Sequence, residues 1–481
     1  MSFVSELEPR SLWSHFDRIL EIPRASKDEA RIRDYVTGVA ERNGLECKVD
    51  DTGNVVVRKP GTPGHEKAPG IVLQAHLDMV QQKNSDVQFD FDNDAIQPQR
   101  DGDYIKATGT TLGSDNGIGV ASMLAVMEAK DLVHGPLEFL FTVDEETGLT
   151  GAGGLADGLL EGRRLINVDS EEEGVLTIGC AGGADSHLYL ALEKAAVPSG
   201  AKALVVRISG LKGGHSGIDI QLQRGNATRM LNRALYAASL EGGFRVVSLE
   251  GGNAHNAIPR EASATLVSAD ADGLRERLTR ELEAMREEFR PAEPGMEFSI
   301  EAAAAPGEAW DEPTTGRVLA LVNSLPHGVE TMSYEIEGLV ETSTNLAVVE
   351  ESDGRLAIWM STRSSVASAL EALRQRIRAM ATLAGAEVVE DGGYPGWKPD
   401  VDSKILDVVK GIHEGVVGMA PEVGAVHAGL ECGIIGEKYP GMDMISIGPQ
   451  IEFPHSPDER VKVDTVGRFY ALMTTTLEKL A

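Results

Sequence analysis

Residues 71–80 read IVLQAHLDMV, and the fold assignment starts from them. Ile71, Val72 and Leu73 make a short apolar run of the kind that fills a strand buried on both faces. The run then breaks into His76-Leu77-Asp78. Two ionisable residues at period-two spacing point the same way on an extended backbone. In an open α/β sheet, ligands and catalytic groups gather at the carboxyl ends of the strands. A lone His-x-Asp is more often a surface pair in a loop, so the weight falls on recurrence. LEFLFTVDEETG (137–148) and LINVDSEEEG (165–174) repeat an apolar run that ends in carboxylates. Between the first two, TGTTLGSDNGIG (108–119) is turn-rich and leads into a helix, GVASMLAVMEAKD. Strand, acid, helix, strand, acid predicts a doubly wound α/β sheet.

On the N-terminal side, Leu12, Trp13, Phe16, Ile19 and Leu20 recur at helical spacing. A second amphipathic helix follows over Asp28 to Arg42, and Val55 to Val57 reads as a strand. Residues 82–104 are polar and poorly periodic, which predicts loop or edge structure. After Cys180-Ala181-Gly182-Gly183 the character changes. ALVVRIS, FRVVSLEG, ASATLVSA and RLAIWMST alternate with helical stretches at 226–240, 271–289 and 366–383. That order suggests an antiparallel sheet with helices on one face. From about Pro399 the earlier style returns, with a helix at 403–414 and the apolar run MISIGPQ. The expected plan is a catalytic α/β domain in two pieces, 1–184 and 397–481, with an inserted α+β domain over 185–396.

The chain has 481 residues, enough for two or three domains. Lysine and arginine number 45 against 75 aspartate and glutamate, a formal charge of −30 that argues against a nucleic-acid partner. Three widely separated cysteines imply no disulfide framework. The N-terminus lacks the basic start and apolar stretch of a signal peptide, and no apolar run is long enough to span a bilayer. The expectation is a cytoplasmic protein without membrane partners.

Five places carry candidate metal donors: His76, Asp115, Glu146, Asp169 and His455, the last in FPHSPDE. Each has a plainer reading. Asp115 before a helix could be an N-cap, the acidic runs solvated turns, and His455 a loop histidine. Taken together, mixed His, Asp and Glu donors without cysteine suit Zn²⁺, Mn²⁺ or Co²⁺ in a hydrolytic role. Two ions bridged by one carboxylate would use these five donors. Asp78 is then left to orient His76, and Glu145 to take a proton from water.

The stretches IPRASKDE, LQAHLDMV, TGTTLGSDNGIG, FTVDEETGLTGA, NVDSEEEG, CAGG, HAGLECG and HSPDE resemble the bacterial aminoacyl-histidine dipeptidases. These belong to the two-zinc peptidases that include carnosinases and acetylornithine deacetylase. The resemblance spans nearly the whole chain and implies metal-dependent hydrolysis of Xaa-His dipeptides. It implies that His76 and Asp169 hold one zinc, Glu146 and His455 the other, and Asp115 both. Asp78 would orient His76, and Glu145 would be the general base. The inserted domain would be a lid and the contact of a homodimer. His215 in KGGHSG would reach the neighbouring copy's site to steady the oxyanion. Asn256, Arg363 and Gly429 would bind substrate, Arg363 through the dipeptide's carboxylate. The same metal core would also serve a deacylase or a broader dipeptidase. A catalytically silent binding protein is a more distant alternative, since every expected ligand and the base are present.

Overall fold

The computed structural model describes residues 2–481. Two compact units are present. The first runs from the N-terminus to Cys180 and resumes over Trp397–Ala425 and Leu430–Ala481. The second is Ala181–Gly396 together with Val426–Gly429. The sequence reading placed the first boundary at 184/185 and kept 426–429 with the flanking segments. The four residues go with the second unit because the Val426 and Ala428 carbonyls accept the amide of Ala181.

An eight-stranded sheet organises the first unit. Its order is Glu46–Val49, Val55–Lys59, Leu137–Thr142, Ile71–His76, Arg164–Asn167, Asp443–Ser446, Val175–Cys180, Glu422–Val426. The central strands pair in parallel, Ile71–His76 with both Leu137–Thr142 and Arg164–Asn167, and Asp443–Ser446 with Arg164–Asn167. Val55–Lys59 and Val175–Cys180 join antiparallel on either side. All six residues of Ile71–His76 and of Leu137–Thr142 are buried, which is why these strands read as continuous apolar runs instead of alternating ones. Burying each of Ile71, Val72 and Leu73 contributes about 1.5–3 kcal/mol, an anchor for polar residues at the strand tip.

Gln74, Thr142 and Asn167 break the apolar pattern near the strand tips, and each finds a partner. Asn167 donates to Gln74 (2.6 Å), and Gln74 donates to the Glu431 carboxylate (2.6 Å), which also accepts from Thr142 (2.6 Å). This polar layer lies two or three residues before His76, Glu145 and Asp169 along the chain. Because buried polar groups cost free energy unless hydrogen-bonded, the layer fixes the register of the strands beneath the site.

A small four-stranded sheet in the same unit orders Ile451–Glu452, Arg460–Lys462, Tyr104–Ala107 and Pro98–Asp101. The last is an exposed edge strand in the stretch that read as loop or edge. The turn between Ile451–Glu452 and Arg460–Lys462 presents His455.

The second unit is a nine-stranded antiparallel sheet with the helices Ala227–Glu241, Ala271–Phe289, Glu312–Ser324 and Ala367–Ala384. Leu231, Leu235, Leu278, Leu282, Val318 and Ile377 from those helices share one core with Leu204, Leu266 and Leu346 of the sheet. Among the described residues no helix is long and apolar enough to cross a membrane.

Candidate metal centre

Seven of the proposed residues come together at the carboxyl ends of the central strands. His76 ends its strand with the side chain 1% exposed, and its Nε2 lies 3.0 Å from Asp115 Oδ1 and 3.3 Å from Asp169 Oδ1. Its Nδ1 lies 3.3 Å from Asp78 Oδ1. His455 Nε2 lies 3.1 Å from Asp115 Oδ2 and 3.0 Å from Glu146 Oε2. The two oxygens of Asp115 therefore face two different imidazoles. One donor atom from each of His76, Asp115 and Glu146 lies within 4.8 Å of the others.

Local backbone structure accounts for these directions. Asp115 sits at the first turn of Ser114–Glu128 but has extended dihedrals (φ −82°, ψ 114°), so it is not a helical residue. His455 has φ +59°, in the left-handed region that bulky side chains seldom adopt. Strain of this kind persists only where surrounding structure imposes it. Asp78 is fully buried and carries three donors beyond the imidazole: the Glu145 amide (3.1 Å), the Glu146 amide (3.2 Å) and the Ser26 hydroxyl (2.8 Å). It thereby ties the loop of Glu145 and Glu146 to the strand of His76.

The electrostatics are those of a site short of positive charge. Burial alone would lower the His76 pKa, but Asp169, Asp115 and Asp78 outweigh it and hold it well above the ordinary value. Hydrogen bonds to Asp115 and Glu146 raise His455 to about 11. Burial opposes the charge on Asp78, yet its bonds to His76 and to the Glu145 amide bring it down to about 2. Burial pushes Glu145 well above the usual carboxylate range, with Asp169, Glu431 and Glu146 adding to the shift and His76 opposing it. Glu146 Oε1 is buried without a hydrogen-bond partner. An orphaned carboxylate oxygen among four acids and two imidazoles fits a divalent cation, which accepts lone pairs that no protein donor reaches.

The remaining proposed residues lie in the second unit. His215 Nδ1 accepts from the amides of Gly217 (3.2 Å) and Ile218 (3.1 Å). That ring nitrogen must be unprotonated, so a neutral His215 carries its proton on Nε2. Burial and the nearby Arg363 lower its pKa, which favours the neutral form. The exposed Asn256 is tied to the same loop by its carbonyl, which accepts from the Ser216 amide (2.8 Å). Arg363 pairs with Ser343 and Gly183 across the sheet, donates to the Tyr394 hydroxyl (3.0 Å) and keeps a buried Nε without a partner. A Cβ on Gly429 would lie 2.8 Å from the Tyr394 ring.

Several groups here were not singled out from sequence. Tyr394 stands against both Arg363 and Gly429. His427 has Nε2 2.7 Å from the Ser343 hydroxyl and is pushed down to about 3 by burial and Arg363. Glu171, two residues beyond Asp169, is pushed up to about 9 by burial and by Asp115 and Asp169. His427 lies in HAGLECG and Glu171 in NVDSEEEG, stretches quoted for other residues, whereas Tyr394 lies in no quoted stretch.

With this geometry in view, the chain belongs to peptidase family M20/M25/M40, whose model matches residues 72–479. It is a peptide-bond hydrolase by that membership. It is 42% identical over 482 residues to the cytosol non-specific dipeptidase of Escherichia coli, covering 100% of this chain and 99% of that one. The crystal structure of aminoacylhistidine dipeptidase from Vibrio alginolyticus superposes with a TM-score of 0.93 at 44% identity, covering 99% of this chain and 98% of that one. The aminopeptidase PepT of Bacillus cereus shares the fold at a TM-score of 0.58 and 17% identity, covering 98% and 99%.

Proposed function

We propose that the protein hydrolyses dipeptides, Xaa-His foremost, with two divalent metal ions. The observation that carries the reading is Asp115, whose two oxygens face the imidazoles of His76 and His455. His76 and Asp169 would hold one ion, Glu146 and His455 the other, with Asp115 common to both. Zinc suits this donor set first, manganese or cobalt next. When bound, the ions would supply Lewis acidity toward a water and the scissile carbonyl.

The chain's own groups supply the rest. Glu145, adjacent to a ligand but in no ligand pair, takes the water proton as oxygen adds to the carbonyl carbon. It returns that proton to the leaving nitrogen as the C–N bond breaks, releasing the C-terminal amino acid. The Nε2–H of a neutral His215, supplied by the neighbouring copy of a homodimer, donates to the developing oxyanion. Arg363 pairs with the dipeptide's carboxylate through its planar fork, and Asn256 and Gly429 complete the substrate contacts. A cytoplasmic location agrees with three free cysteines and with the name of the Escherichia coli relative.

The relatives' names divide on specificity, one non-specific and one aminoacylhistidine. A broader dipeptidase is therefore the second reading. Release of the C-terminal amino acid from Xaa-His, Xaa-Leu and N-acetyl amino acid substrates separates them, measured after chelation and again with Zn²⁺ or Mn²⁺ restored. Metal-dependent cleavage strongest on Xaa-His is expected. Equal cleavage of Xaa-Leu would establish the broader enzyme, and cleavage of N-acetyl substrates alone would overturn both readings.

Arg363→Lys keeps the charge and removes the fork. Hydrogen bonds to charged groups contribute about 1.5–3 kcal/mol, so KM for Xaa-His should rise about 10–100-fold with a smaller change in kcat. An unchanged KM would remove Arg363 from substrate binding.

A further inference from the structure

We infer that Arg24 and Glu459 are positioning residues that hold the Asp115 loop in place for metal binding, an inference that rests on the metal reading above. Arg24 comes from the N-terminal segment and is 2% exposed. Its Nη1 donates to the carbonyls of Leu77 (2.9 Å) and Asp78 (2.5 Å), and its Nη2 to the carbonyl of Gly113. One planar fork thus joins the end of the His76 strand to the loop before Asp115. A Cβ on Gly113 would lie 2.6 Å from Arg24 Nη2, and one on Gly117 2.9 Å from the same nitrogen. Two glycines of TLGSDNGIG therefore leave room for the guanidinium.

Glu459 closes the loop from the other side. It is 2% exposed, and its Oε2 accepts the amides of Leu112 (2.8 Å) and Gly113 (2.9 Å). Its Oε1 accepts the amide of Ser114 (2.7 Å), the Ser114 hydroxyl (2.6 Å) and the amide of Asp115 (3.3 Å). Five donors on two oxygens leave this carboxylate little capacity to ligate an ion itself, and Arg24 has no lone pair to offer. What the pair can do is fix the backbone from which Asp115 projects. Burying two charges is unfavourable unless each is hydrogen-bonded, and here every contact falls on the strand tip or the loop that carries the site. Burial lowers the Arg24 pKa, and the nearby Asp78, Glu459, Asp115 and Glu146 oppose that shift.

The test is Zn²⁺ affinity of the full-length chain, freed of metal and titrated against a chromophoric chelator. Glu459→Gln presents an amide NH₂ to backbone N–H groups, and its affinity should fall about 10–100-fold, the usual cost of losing a group that orients a ligand. Glu459→Asp, which keeps the charge, should recover part of that loss. Arg24→Lys offers one nitrogen in place of two, so it cannot span the Leu77 and Asp78 carbonyls and the Gly113 carbonyl together, and it should lose affinity similarly. The melting temperature of the metal-free forms is read alongside. A merely structural role would lower that temperature and leave the affinity of the folded protein unchanged. Unchanged affinity in Glu459→Gln and Arg24→Lys overturns the inference, and so does failure of both to fold. Asp115→Asn serves as the control. Should it keep both equivalents of Zn²⁺, the metal reading itself fails. If it loses one while the other variants bind normally, only the positioning role fails.

Discussion

Glu145→Gln is expected to lower kcat by about 10²–10⁴-fold while the protein keeps its full complement of metal, the range that a positioned general base contributes. The expectation comes from where Glu145 sits. Its amide is held by Asp78 on the loop that follows the Leu137–Thr142 strand. Its neighbour Glu146 pairs with His455, whereas among the described residues no imidazole forms an ion pair with Glu145 itself. Dense packing around its carboxyl, with Asp169, Glu431 and Glu146 nearby, makes its charged form costly and a bound proton favourable. A group in that state can take a proton and give it back within one turnover. Glutamine keeps the shape and the hydrogen-bonding reach but accepts no proton. Metal content by elemental analysis and steady-state kinetics on an Xaa-His dipeptide would be measured on one preparation. Loss of metal together with activity would make Glu145 a ligand. An unchanged kcat would remove it from proton transfer.

The strands that carry the site could be read from sequence because both their faces are buried. Continuous apolar runs ending in His76, Asp169 and the Glu145-Glu146 pair stand out against any amphipathic background. The resemblance likewise pointed to His215 and Arg363, which the structure places in the second unit. What escaped the reading was chemistry distributed over distant segments. Gln74, Asn167 and Glu431 form one buried polar layer, yet each alone reads as a stray polar residue. Arg24 and Glu459 lie 435 positions apart, by subtraction of their numbers, and converge on one loop. Periodicity reports which face of an element is buried, and it is silent about which polar groups meet there. The extended conformation of Asp115 at the mouth of a helix is a further case. The residue looks like an N-cap in sequence, while in the structure Glu459 takes the loop's amides and leaves the Asp115 carboxylate free to face two imidazoles.

Removing the metal should lower the melting temperature by about 5–15 °C at pH 7, and the gap between metal-free and metal-loaded protein should widen toward pH 9. The size follows from linkage. An ion present at a hundred times its Kd stabilises the folded state by about 2.7 kcal/mol per site. The pH dependence follows from the acids left behind. In the metal-free protein, burial holds Glu431 up at about 7, while burial together with Asp115 and Asp169 holds Glu171 at about 9. A carboxyl raised above its unfolded value binds more protons folded than unfolded, so its contribution is complete at low pH and lost as pH climbs through the folded value. His455, raised to about 11, acts in the same direction above its ordinary value of 6.5. Asp78, brought down to about 2, loses its contribution only in acid, outside this range. The buried neutral histidines His327 and His427, both near 3, pull the opposite way, but only below about pH 6.5. Lys59, lowered to about 8 by burial, favours the folded state as pH rises, but it contributes alike with and without metal and cancels from the gap. Between pH 7 and 9 the difference therefore isolates the carboxylates and imidazoles of the site. A gap that stays constant or narrows over that range would mean that the carboxylates around Asp115 are not the groups the metal neutralises.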